Sequence, residues 1–221
     1  MSTILITGAT SGIGLEAAVA LARQGNRLVL VGRDQRKMNA AVDEVKRRAG
    51  VAAAPDSWLC DFGSQAQIRK LASDVLANYD RLDVLVNNAG LAMRRREATE
   101  DGIERNFAVN HLGPFLLTNL LLDLLLKSAP ARVVNVASIE HYDATMDLPD
   151  LGFERGGWGM AKAYRRSKLG NVLFTRALAN RLEGKTGLYF NQLEPKQPSK
   201  LALDDELAER LWAESARLVK L

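Results

Sequence analysis

The stretch "AYRRSK" sets Tyr164 and Lys168 four residues apart, so on a helix both side chains lie on one face. A tyrosine ordinarily releases its proton near pH 10 (roughly), and a neighbouring ammonium favours the phenolate and lowers that value. The pair is a tunable proton donor, although the spacing alone also fits the edge of an amphipathic helix. Two further residues bear on it. Ser138 ends the run "RVVNVAS", and a hydroxyl at the carboxyl edge of a parallel sheet can hydrogen-bond a carbonyl oxygen as charge develops on it. Asn110, in "NFAVNHLGPF", is too polar for an otherwise apolar face unless it binds backbone or water.

A second group of residues suits a dinucleotide. "TGATSGIG" follows a strand and opens a helix, with Gly8, Gly12 and Gly14 spaced G-x-x-x-G-x-G around Ser11 and Ile13. Glycines there let the backbone turn sharply and approach a pyrophosphate held by amides at the helix N-terminus; an ordinary tight turn has the same look. In "VLVGRD", Gly32 stands where a ribose-binding acid is usual, and Arg33 follows. A guanidinium suits a 2′-phosphate, which favours NADP (NADPH) over NAD; the other reading of Arg33 is a solvated charge at a helix start. Asp34 reads as the N-cap of that helix. "NNAG", Asn87 to Gly90, puts a glycine where a cofactor could pass close to the backbone.

These residues need a scaffold. Short β-branched runs at 3–7, 27–31, within 53–60, 83–88 and 132–137 alternate with helical patterns at 12–24, 34–48, 64–78, 101–127 and 158–183. The strands are nearly continuously apolar, so helices should cover both sheet faces. That predicts an α/β fold, a Rossmann-type doubly wound parallel sheet, in a single domain over 1–221. With 221 residues, 47% of them hydrophobic, the chain can bury one sizeable core.

The formal charge of +4 is too small and too dispersed to argue for a nucleic-acid partner. A single cysteine, Cys60, excludes an internal disulfide or a multi-cysteine zinc site and suits a cytoplasmic location; buried packing is its expected role. His111 and His141 have no carboxylate or cysteine at ligand spacing, so no metal is expected. "MSTILITG" enters a strand at once, without the pattern of a leader. The apolar stretch Phe115 to Lys127, interrupted by Thr118, Asn119 and Asp123, is short of a membrane span and reads as a core helix. Leu207, Leu211 and Leu218 roughly share one face of a tail helix, as packing or a homo-oligomer contact requires.

Taken together, the glycine motif, Asp61 of "CDFGS", "NNAG" and the set Asn110, Ser138, Tyr164 and Lys168 resemble the short-chain dehydrogenase/reductase family. "TEDGIERNFAVNHLGPFLLTNLLL", "NVASIEH" and "AYRRSKLGNVLFTRALANRL" are similar to its retinol-dehydrogenase and WW-domain-oxidoreductase-like branch. The resemblance implies that Tyr164 is the general acid/base, that Lys168 lowers its pKa and bonds the nicotinamide ribose, that Ser138 positions the substrate oxygen and that Asn110 holds a relay water. It puts Asp61 and Phe62 beside the adenine, Asn87, Ala89 and Gly90 along the adenosine ribose, and Arg33 on the 2′-phosphate. "GPF" at 113–115 departs from a frequent G-H-F, and "VAS" from V-S-S; neither removes a catalytic group. The activity implied is NADP(H)-dependent interconversion of a hydroxyl and a carbonyl on a small or medium apolar substrate. The alternative is a cofactor-binding module without turnover, acting in redox-responsive interaction.

The family pattern also leads one to expect a sixth strand and a substrate lid after the Tyr164 helix, on the order of 40 to 70 residues at average element lengths. Here "RLEGKTG" runs straight into "LYF", and no "PG" dipeptide occurs. The break falls near 185–187. The expectation is a mobile segment outside these 221 residues; a genuine deletion would leave a sheet edge and much of the Tyr164 helix uncovered.

Overall fold

The computed structural model describes residues 1–182 and 186–221, and divides into two compact units, Met1–Gly90 with Leu116–Val136 and Leu91–Phe115 with Ala137–Leu221. In the first unit, β1 (Thr3–Thr7), α1 (Gly12–Arg23), β2 (Arg27–Gly32), α2 (Gln35–Ala49), β3 (Asp56–Leu59), α3 (Gln65–Asn78) and β4 (Val84–Asn87) alternate as the sequence predicts. Ile4, Ile6, Leu28 and Leu30 form one core with Ala18, Val19 and Ala22 of α1 and Met38 and Val45 of α2. The alternate residues Leu5, Val29, Val31 and Leu85 are buried as completely. Burial on both faces is why these strands read as continuous apolar runs. Asp34 caps α2 by accepting from the Lys37 N–H at 2.8 Å.

The helix expected over 101–127 is broken. It comprises α4 (Arg105–Phe107), a π-helical turn (Ala108–Leu112), α5 (Gly113–Leu120) and α6 (Leu122–Lys127). Pro114 has no N–H with which to bond the Asn110 carbonyl four residues back. The ladder widens instead, and the Gly113 N–H donates to the Ala108 carbonyl, five residues back. Strand β5 (Arg132–Asn135) follows, and the five strands form one parallel sheet in the order β3-β2-β1-β4-β5. This is a Rossmann-type α/β sheet flanked by helices, ending at β5 among the described residues.

In the second unit, 3₁₀ turns at Ile139–Asp143 and Leu148–Asp150 lead to α7 (Met160–Arg181). The "LYF" segment does not extend the parallel sheet. It enters a hairpin, β6 (Phe190–Asn191) against β7 (Glu194–Pro195), closed by Gln192 and Leu193 at φ of 51° and 68°. The break expected near 185–187 starts at Lys185, outside the described residues. Helix α8 (Asp205–Val219) packs on α7 through Ala208, Leu211, Ser215 and Val219, while Leu207 and Leu218 are half-buried. Its Trp212 ring meets Phe115 at 4.9 Å and Phe174 at 5.7 Å between centroids.

Candidate active site

The glycine turn of the first unit is built against "NNAG". Thr7 Oγ1 accepts from the N–H groups of Asn88 and Ala89 at 3.0 and 2.9 Å. Asn88 Nδ2 donates to the carbonyls of Thr7 and Gly8 at 2.9 and 3.1 Å. So close an approach leaves no room for side chains at Gly8 or Gly14: a Cβ on Gly14 would stand 2.3 Å from the Gly8 carbonyl oxygen and 2.5 Å from Asn88 Nδ2. Gly12 differs, because its φ is +54° and a Cβ there would face open space. Thr7 and Asn88 escaped sequence reading; the only signal was their place on either side of the recognised glycines.

The turn fits a dinucleotide on three counts. Ser11 precedes α1 without capping it through its side chain, so the first amides of the helix keep their donors for an anion. Ile13 is 72% exposed at this helix start, apolar surface that a bound cofactor would cover. At Gly32, a Cβ would meet Thr10 Cγ2 at 2.6 Å and Met38 Cε at 3.0 Å. An acid cannot stand there without displacing both, whereas Arg33 and its long side chain are exposed.

Of the other residues expected at the cofactor, Phe62 and Asn87 are buried, Asp61 and Ala89 are half-buried and Gly90 is exposed. Asp61 Oδ1 accepts from the Gly63 N–H at 2.8 Å, and the Asp61 N–H donates to Gln67 Oε1 at 2.9 Å. Asn87 is buried, its Nδ2 donating to Thr118 Oγ1 and Asn135 Oδ1 at 2.9 and 2.8 Å; Ala89 and Gly90 line the outside of the turn. Cys60 is buried, which pushes its thiol up to about 12.

The second unit carries the residues expected from the sequence to handle the proton. Tyr164 is half-buried on α7, and Lys168 Nζ lies 5.7 Å from its ring centroid. Lys168 is only 4% exposed, and burial brings its ammonium down to about 8. Ser138 takes an extended conformation, with Oγ accepting from the Glu140 N–H at 3.3 Å to cap the following 3₁₀ turn. Asn110 is fully buried in the π-helical turn. Its Oδ1 accepts from the Leu91 N–H at 2.8 Å, and its Nδ2 donates to the Leu91 carbonyl at 2.8 Å and to Ser167 Oγ at 2.9 Å. Ser167 in turn donates to the Tyr164 carbonyl at 2.7 Å. Asn110 and Tyr164 are thus linked through Ser167, whose place inside "YRRSK" was the available and unused signal.

Known proteins resemble this chain over nearly its whole length. The family model for short chain dehydrogenases matches residues 2–197. Human retinol dehydrogenase 13 is 34% identical over 281 residues, covering 99% of this chain and 85% of the human protein. That matched stretch is longer than the present chain by several tens of residues. A crystal structure of an uncharacterized protein of Mycobacterium paratuberculosis superposes with a TM-score of 0.86 at 29% identity, covering 100% of this chain and 94% of the other. An actinorhodin polyketide ketoreductase with NADPH gives 0.65 at 33% identity, covering 82% and 65%. The glycine turn, the Tyr164 and Lys168 helix and these likenesses agree: the chain belongs to the short-chain dehydrogenase/reductase family, as an oxidoreductase of its retinol-dehydrogenase-like branch.

Proposed function

We propose that the protein interconverts a hydroxyl and a carbonyl on a small or medium apolar substrate, with NADP(H) as cofactor. The observation that carries this reading is the half-buried Tyr164 phenol with the buried Lys168 ammonium on the same face of α7. In the reducing direction Ser138 Oγ donates to the substrate carbonyl oxygen, and Tyr164 Oη delivers the proton as that oxygen gains negative charge. Bound NADPH supplies the hydride that the carbonyl carbon accepts. Lys168 steadies the phenolate left behind.

Both N–H groups of the Asn110 amide are engaged, so a relay water at residue 110 must be held by an oxygen. The Asn110 carbonyl, deprived of its α-helical donor by Pro114, suits that role. For the cofactor, the amides of Ser11, Gly12 and Ile13 would hold the pyrophosphate and Arg33 the 2′-phosphate. The absence of room for an acid at Gly32 supports NADP over NAD. Asp61 and the Ala89 to Gly90 backbone would border the adenosine.

An apolar substrate is supported by two exposed side chains. Ile139 follows Ser138 directly and is 58% exposed, and Met160, one turn before Tyr164 on α7, is 49% exposed. Retinol and polyketide stand as substrates in the names of two relatives. A cytoplasmic location agrees with the lone cysteine, and no described helix is long and apolar enough to cross a membrane.

The test is Tyr164→Phe, which should abolish NADPH-dependent reduction of a panel of apolar ketones and aldehydes while NADPH binding stays within about twofold, since a hydroxyl is all that is lost. Equal turnover by the two proteins would overturn the assignment. A cofactor-binding module without turnover is the second reading, favoured by the sheet that, among the described residues, ends at β5. Tight NADPH binding without turnover on any substrate of the panel would support it.

A further inference from the structure

His141 is fully buried, three residues after Ser138, and both of its ring nitrogens have backbone partners. Nδ1 lies 2.7 Å from the Ser138 carbonyl oxygen, and Nε2 lies 3.2 Å from the Ser199 amide nitrogen. A carbonyl only accepts and an amide N–H only donates. The ring must therefore carry its proton on Nδ1 and leave Nε2 bare: neither the other tautomer nor the imidazolium satisfies both partners. The His141 backbone N–H donates to the same Ser138 carbonyl at 3.1 Å.

The contact is wider than one ring. Tyr142 Oη donates to the Gln197 carbonyl at 2.5 Å. The Tyr189 ring packs edge-on to His141 at 4.8 Å, with Tyr142 at 4.3 Å on the same imidazole. The hairpin segment 189–199 is thereby held against the turn that Ser138 caps.

We propose that His141 is a positioning residue: as the Nδ1–H tautomer it ties the Ser138 backbone to the 189–199 segment, so that the aim of the Ser138 hydroxyl depends on that segment being docked. This deepens the reductase reading and rests on it. Misplacing a reacting group by about 1 Å costs on the order of 100-fold in rate, so the tie should be visible in kcat.

Two pairs of variants and one spectrum test it. His141→Gln keeps an amide near the Nε2 position and loses the donor to Ser138, whereas His141→Asn keeps an amide near the Nδ1 position and loses the acceptor for Ser199; each cuts one end of the tie, so kcat should fall about 10- to 100-fold in both, with NADPH affinity unchanged. Ser199→Pro removes the N–H at a φ of −60° that proline accepts, while Ser199→Ala keeps that N–H and loses only the hydroxyl cap on Ala202. The proline variant should lose turnover and the alanine variant should not. In ¹⁵N spectra of the imidazoles, the signal that disappears in His141→Gln should show a protonated Nδ1 and a bare Nε2. An Nε2–H tautomer, or wild-type kcat in both His141→Gln and Ser199→Pro, would overturn the proposal. A wild-type protein without NADPH-dependent turnover would sink the reductase reading instead, and the tautomer with the Ser199→Pro spectrum would then decide the tie by itself.

Discussion

Nδ2 of Asn110 donates to Oγ of Ser167 over 2.9 Å, and that hydroxyl donates onward to the Tyr164 carbonyl at 2.7 Å. With the two bonds between the Asn110 amide and the Leu91 backbone, the π-helical turn is fastened both to the segment after "NNAG" and to the helix that bears Tyr164. Ser167→Ala would leave a buried Asn110 N–H without an acceptor. It should lower stability by about 1–3 kcal/mol, read as a lower urea midpoint at unchanged slope. Ser167→Thr, which restores the hydroxyl, should recover most of it. If Ser167→Ala is as stable and as active as wild type, the link has no energetic weight.

Arg33 and Gly32 give a prediction about cofactor choice. Charged hydrogen bonds are worth about 1.5–3 kcal/mol, so Arg33→Ala should weaken NADPH binding roughly 10- to 100-fold while NADH binding hardly moves. Equal loss for both cofactors would place the guanidinium away from the 2′-phosphate. Gly32→Ala tests the crowding separately: with Thr10 Cγ2 at 2.6 Å from the new Cβ, it should cost about 1–3 kcal/mol as overpacking does, read by thermal melting.

Lys168 makes stability depend on pH in a way that opposes its usefulness. Burial lowers its folded pKa from 10.5 to about 8, so between those values the unfolded chain binds more protons and stability rises with pH. Below about pH 8 the folded protein bears the whole cost of a buried ammonium, up to about 3 kcal/mol. Lys168→Met should therefore be inactive yet more stable at pH 7, with the advantage shrinking as pH approaches 10. Urea titrations of the two proteins at pH 7 and pH 9.5 measure the difference; a constant gap would mean that the lysine does not titrate in this range.

How much of this was legible in the sequence depends on the kind of signal. The five parallel strands and α1, α2 and α3 follow from continuous apolar runs and helical periodicity, and the boundaries agree to within a few residues. The π-helical turn was not foreseen, because apolar spacing does not distinguish a five-residue from a four-residue hydrogen-bond ladder; Pro114 was the local clue. "LYF" has the composition of a strand, but its partner is set by the left-handed residues Gln192 and Leu193 two positions on, and propensity says nothing about partners. Residue types pointed to the chemistry proposed for Tyr164, Lys168 and Ser138. They could not mark Ser167, Thr7, Asn88 or His141, which matter through what they touch.

His111 offers the sharpest stability test, since it titrates in a place that cannot accommodate charge. The ring is fully buried in the π-helical turn, with Phe107 at 4.8 Å and Phe174 at 6.3 Å between centroids. Gly170 lets it lie against α7, where a Cβ would come within 2.9 Å of Nδ1. Nε2 lies 2.9 Å from Ser215 Oγ of α8, and burial lowers the folded pKa from 6.5 to about 4. The unfolded chain therefore takes up a proton first as pH falls, so stability is full above pH 6.5 and is lost as pH drops from 6.5 towards 4. The loss attributable to this ring is up to about 3 kcal/mol. His111→Gln keeps a polar terminus within reach of Ser215 but cannot titrate, so it should be less stable than wild type at pH 8 and close that gap by pH 4.5. Urea unfolding of both proteins across this range reads the effect directly, because the carboxylates that also titrate there are common to both. A gap that stays constant with pH would mean that His111 is protonated in the folded protein as readily as in the unfolded chain, and that the aromatic shell around it admits water.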